Sequence, residues 1–86
     1  MKKFDFEIVT MDNSFLKCQL WEVIVPGHDG YFGILPGHLP YITILKEGSV
    51  KLKYSEKDIE FKTYNITGGF IEVTGRHVTL FADQIE

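Results

Sequence analysis

With a single cysteine, Cys18, the chain cannot close an internal disulfide. Cys18 stands in the alternating run Leu16 to Leu20, where a small apolar residue fits, and it reads as a buried core thiol. A nucleophilic cysteine would need a base placed beside it. Positive charge is equally sparse: nine Lys and Arg residues are spread among twelve acids, for a net charge of -3. Binding to nucleic acid or to an anionic lipid surface needs clustered cations, so both are disfavoured. No apolar run approaches the roughly 20 residues that cross a bilayer as a helix. After Lys2 and Lys3 come Phe4-Asp5-Phe6-Glu7, acids where an export signal would need its apolar stretch. If the protein works at a membrane, the expectation is that another protein holds it there, without direct insertion.

The common signatures of chemistry are missing too. There is no GxxxxGK[ST] loop and no GxGxxG opening a helix, so no nucleotide cofactor is expected. Gly27, Gly30 and Gly33 are spaced by three, but lack the helix N-terminus or lysine that would cradle a phosphate. Ser14, Ser49 and Ser55 lie in or beside turns, and none sits in a GxSxG elbow. His28, Asp29 and His38 are donors that suit zinc or iron, yet their spacing forms no ligand pair on one strand face or helix turn. They read as surface or interface residues, with no metal expected; His77, beside Arg76, reads as solvated. Asn65-Ile66-Thr67 matches a glycosylation acceptor, which carries meaning only in a secreted protein. No catalytic residue is therefore assigned.

What the chain does have is a hydrophobic pattern of period two. Phe4, Phe6 and Ile8 alternate with Asp5, Glu7 and Val9; Val50, Leu52 and Tyr54 alternate with Lys51, Lys53 and Ser55. No helical stripe runs for three turns. Turn signals recur at Met11 to Ser14, Pro26 to Gly30, Pro36 to Pro40, Glu47-Gly48, Ser55 to Asp58, Gly68-Gly69 and Gly75-Arg76. Around Ser55 to Asp58 the flanks Lys51 to Tyr54 and Ile59 to Lys62 both alternate, which predicts a hairpin. Eighty-six residues cut this way predict one domain over residues 1–86, an all-β antiparallel sandwich or flattened barrel.

Two segments do not fit a plain sandwich. In Tyr41-Ile42-Thr43-Ile44-Leu45 and Gly69-Phe70-Ile71, apolar residues fall on both strand faces, and only one face can point at the core. The leftover apolar surface suggests a protein interface. The stretch from Pro26 to Pro40 holds four of the eight glycines and all three prolines, so its backbone path is tightly specified, as in a loop presented to a partner.

Gly30-Tyr31-Phe32-Gly33-Ile34-Leu35-Pro36-Gly37-His38-Leu39-Pro40, followed by Thr43 and Lys46-Glu47-Gly48, resembles the G-x-x-G-[IV]-x-P-G-H-x-P…T…K-x-G signature of the F-type ATP synthase epsilon subunit. Gly68-Gly69-Phe70-Ile71-Glu72-Val73, with Val78-Thr79-Leu80 and Ala82-Asp83, resembles that family's GG[FIL]xEV…VT[VL]xAD stretch. The resemblance covers essentially the whole chain. It implies a flattened β-sandwich of about ten short strands in two sheets. It further implies a non-catalytic central-stalk part of the rotor that links the gamma subunit to the membrane c-ring. The alpha/beta catalytic assembly would be an indirect partner. The expected location is peripheral, on the cytoplasmic face of the bacterial inner membrane. By the same resemblance His38 and Thr43 face gamma, with Leu39, Tyr41 and Ile42 extending that face. The loop His28, Asp29, Gly30, Tyr31 and Phe32 meets the c-ring; Tyr31 stands where many members carry a carboxylate, leaving aromatic packing or Asp29 for that contact. Members of the family usually continue into a helical hairpin that obstructs rotation or binds ATP; the sequence stops at Glu86, and neither activity is expected of it.

Two other readings stay open on the residues alone. A ligand-binding or carbohydrate-binding sandwich would use the aromatics as a stacking platform, and a cupin-like metal enzyme would need clustered histidines that the sequence lacks.

Overall fold

The computed structural model describes residues 2–37 and 40–86. Among them nine strands form: β1 (Phe4–Val9), β2 (Ser14–Leu20), β3 (Glu22–Gly27), β4 (Gly30–Ile34), β5 (Tyr41–Leu45), β6 (Gly48–Lys53), β7 (Lys62–Ile66), β8 (Gly69–Thr74) and β9 (His77–Ala82). The period-two pattern explains them. Along β1, Phe4, Phe6 and Ile8 are buried and the residues between them are not; along β9, Val78, Leu80 and Ala82 are buried in the same way.

Hydrogen bonding runs through the order β2-β1-β9-β8-β5-β3-β6-β7, with β4 paired to β3. The path changes character at β5–β3, where a single residue pair, Gly27 and Leu45, connects two broader arrays. The sheet curls there, and β2-β1-β9-β8-β5 faces β4-β3-β6-β7 as a second layer. Ile8, Val23, Val25, Leu52, Ile71 and Leu80 lie between the layers with no exposed surface. On the far side the rings of Phe15 and Tyr64 meet edge to face at 5.5 Å, joining β2 to β7. The Trp21 amide donates to the Lys53 carbonyl at 2.8 Å and ties the layers at the β2–β3 corner.

The all-β expectation holds, with three differences of detail. Nine strands rather than about ten are found among the described residues, and they are one connected, curled sheet. The β1–β9 pair is parallel, from Asp5 opposite His77 to Val9 opposite Phe81. Short turns dictate antiparallel pairing, and no turn links two strands from opposite ends of the chain. The β6–β7 hairpin forms, but Ile59 to Phe61 stay outside its strands and Ile59 is 93% exposed. The Asp58 carboxylate accepts the amides of Tyr54 and Ser55, both at 3.1 Å, and this wraps the backbone into a longer connection.

Cys18 is half-buried, where a buried core thiol was expected, because β2 is an edge strand with one covered face. Burial still pushes its thiol pKa up, against a hydrogen bond with Tyr54 that acts in the opposite sense.

Candidate partner interface

The outer face of the five-stranded layer can be built row by row from the pairing registers. Ile44 lies opposite Phe70, Phe70 opposite Phe81, and Phe81 opposite Val9. These four residues form an apolar row straight across β5, β8, β9 and β1. Phe70 and Phe81 stack with centroids 4.6 Å apart and planes 17° from parallel. Ile44 is 69% exposed, and Ile42 on the same face is 61% exposed. Met11, almost fully exposed, continues the apolar surface beside Val9, Phe70 and Phe81.

The stack depends on the backbone beside it. Gly69 has φ 147°, and a Cβ there would collide with the Phe81 carbonyl, so only glycine lets β8 and β9 approach this closely. With Gly68 it leaves an open groove flanked by Ile42, Ile44 and Phe70, with the Asp83 side chain at its rim.

The next row pairs Ile42 with Glu72, Glu72 with Thr79, Thr79 with Glu7, and Glu7 with Lys17. The third runs from Thr74 through His77 and Asp5 to Gln19. Here Asp5 is engaged: the Gln19 amide donates to it at 3.0 Å and His77 Nδ1 stands 3.6 Å away. His77, expected to be solvated, is exposed but carries this partner.

The second candidate surface is the β3–β4 hairpin. Gly27 pairs with Gly30, so His28 and Asp29 form a two-residue turn, with Gly30 at φ 130°. Both turn residues are exposed. Tyr31, 57% exposed, is anchored: its hydroxyl accepts the Ser49 amide at 3.1 Å. Gly48 has no room for a side chain, since a Cβ would press on the Tyr31 hydroxyl and on Pro26. Phe32 turns inward, 6.0 Å from the Tyr41 ring.

The residues expected at the gamma face divide. Alternation along β5 puts Ile42 on the outer face, whereas Tyr41 and Thr43 point to the opposite side and are half-buried. Burial raises the Tyr41 pKa. Thr43 lines a shallow depression together with His28, Asp29, Tyr31 and Phe32, so the structure joins it to the hairpin. His38 and Leu39 lie outside the described residues. Ile44, Phe70 and Phe81 are not among the residues that the resemblance places at the gamma face. The two-face apolarity of β5 and β8 already signalled Ile44 and Phe70, while Phe81 is legible only from the register. Among the described residues no group of three His, Cys, Asp or Glu side chains could hold a metal, and no helix is long and apolar enough to cross a membrane.

Comparison with known proteins follows the same lines. Residues 3–86 match the family model of the ATP synthase Delta/Epsilon chain, beta-sandwich domain. An ATP synthase epsilon chain from Chlorobium limicola is 38% identical over 84 residues, covering 98% of this chain and 93% of the relative. The epsilon chain of Bacillus subtilis is 40% identical over all 86 residues, which span 63% of that relative. The fold is shared with a chain in the Euglena gracilis mitochondrial ATP synthase, at a TM-score of 0.87 and 20% identity, covering 98% of this chain and 52% of the other. A match that spans nearly all of this sequence and nearly all of a relative above 30% identity means that the chain belongs to the epsilon-chain family of ATP synthase, whose members are non-catalytic subunits of that complex.

Proposed function

We propose that this chain is a rotor part of the ATP synthase central stalk. It docks on the gamma subunit through the outer face of the five-stranded layer and turns the His28–Phe32 hairpin toward the loops of the c-ring. In that position it helps couple proton flow to ATP synthesis, held at the cytoplasmic face of a bacterial inner membrane by the complex around it. The observation that carries this reading is the apolar row in which Ile44 and Phe70 are exposed and Phe81 is half-buried, with exposed Ile42 beside it. A lone soluble domain has no use for aligned aromatic and aliphatic side chains on a sheet face, and such patches mark protein contacts. Ile42 belongs to this gamma face, whereas Tyr41 and Thr43 go with the hairpin end.

Isothermal titration of the purified chain against purified gamma subunit tests the proposal. Binding that Ile44→Asp weakens far more than Thr43→Asp supports docking through the outer face of β5. Binding lost with Thr43→Asp but kept with Ile44→Asp would move the contact to the inner, hairpin side. No binding to gamma by the unmodified chain would refute the rotor assignment.

A further inference from the structure

The face proposed above to meet gamma also specifies what its partner looks like. Its apolar row is narrow in one direction and long in the other. Neighbouring strands are about 4.8 Å apart, so the row from Ile44 to Val9 is about 14 Å long. Along the strands it gives way after about 6.7 Å, one residue pair, to Glu72, Thr79 and Glu7, with Ile42 on β5 the one apolar residue of that next row. Carboxylates flank it on both long sides: Glu72 and Glu7 on one, Asp83 on the other. Among the described residues none of these three carboxylates has an ion-pair partner, and Lys17, opposite Glu7, is the single lysine or arginine in the three rows.

We infer that the occupant is an amphipathic helix of the partner, lying across the strands with its apolar ridge on the row Ile44–Phe70–Phe81–Val9 and lysine or arginine side chains over Glu72 and Glu7. Side chains on one helix face recur once per turn, about 5.4 Å, close to the strand spacing they must match. A strand laid in the same direction repeats its side chains every 6.7 Å or so and falls out of step. About nine helical residues span the row at about 1.5 Å each. A helix is about 10 Å across, so its flank ends just short of the row of Glu72 and Glu7, within reach of its long side chains, and there a carboxylate on the partner would be repelled and a cation attracted. A helix along the strands would leave the apolar row within one turn and press on Thr74, His77 and Asp5.

This inference rests on the outer face being the gamma contact, and its test separates the two claims. The chain, with Cys18→Ser, is mixed with gamma subunit and binding is measured across a salt series for the parent, Ile44→Asp and the double variant Glu7→Gln/Glu72→Gln. The expected result is a large loss with Ile44→Asp, and a loss of about fivefold at low salt with the double variant that shrinks as salt rises. Single cysteines at Ile44, Phe70 and Phe81 are then cross-linked to gamma and the target residues mapped. Positions 44 and 81 lie two strand spacings apart, about 9.6 Å, and should reach gamma residues six or seven apart in a helix, against three in a strand. If Phe81→Cys weakens the fold, positions 44 and 70 should still map about three residues apart. Sensitivity to Ile44→Asp with no effect of the double variant, or with targets at strand spacing, would overturn the helix inference and leave the docking face intact. Insensitivity to Ile44→Asp would overturn both.

Discussion

The two outer faces of this sandwich are built from the same backbone geometry and carry opposite decoration. On the four-stranded layer a row runs from Gly33 through Ile24 and Lys51 to Thr63, with Ser49 and Asn65 beside it, bonded at 3.0 Å, and Glu22 opposite Lys53. Ile24 is half-buried there, and polar side chains dominate what solvent meets. On the five-stranded layer the comparable row is Ile44, Phe70, Phe81 and Val9. Both layers bury their inner faces, so core formation does not account for the difference. Solvent suffices as the neighbour of one face, and the other retains apolar area that a partner would cover.

Residues of one type on opposite sides of one layer give the largest contrast. Ile71 is fully buried and Ile42 is 61% exposed, on the adjacent paired strands β8 and β5. Ile71→Ala should lower stability to urea by about 2–5 kcal/mol, and Ile42→Ala by less than about 0.5 kcal/mol. Equal losses would mean that the outer face is covered within the isolated chain. Next comes Gly69→Ala, which sets a Cβ against the Phe81 carbonyl at φ 147° and should cost more than about 1 kcal/mol. Gly75→Ala, at φ 54° with open space around it, should cost about 1 kcal/mol. A smaller effect is expected with an environment-sensitive apolar dye. Its fluorescence on the free chain should fall with Phe70→Asp and stay unchanged with Thr63→Asp.

The smallest effect concerns pH. Cys18, Tyr41 and Tyr54 all have raised pKa values, each chiefly through burial. Such groups favour their neutral forms in the folded chain and ionise more readily once unfolded. The contribution of these three groups to stability should therefore be flat below about pH 8.5 and decline as pH rises through the unfolded values of Cys, about 8.5, and Tyr, about 10. Cys18→Ser should remove the first part of that decline. A chain that gains stability above pH 9 would contradict the assignment.

Much of this was legible beforehand, for reasons that particular residues make plain. The alternation of Phe4, Phe6 and Ile8 against Asp5 and Glu7 is local, so β1 and its inner face could be read directly. The surplus of Ile42, Ile44 and Phe70 was equally local, since parity along two short strands reveals apolar residues on both sides. The extension of that surplus to Phe81 and Val9 was not legible, because it depends on the parallel pairing of β1 with β9, a contact between the two ends of the chain. Thr43 is a different case. The resemblance grouped neighbours in sequence as one surface, while the pleat sends Ile42 and Thr43 to opposite sides. Tyr31 likewise reads as a free contact residue until its hydroxyl is seen to hold the Ser49 amide.

The most direct test of the central claim compares the two faces in one assay: affinity for the gamma subunit with Ile44→Asp and, separately, with Lys51→Asp. Ile44→Asp should weaken binding by about 30-fold or more, as expected for an aliphatic anchor at the centre of an interface, and Lys51→Asp by no more than about twofold. Equal effects, or a larger one from Lys51→Asp, would contradict the assignment of the apolar row as the docking surface.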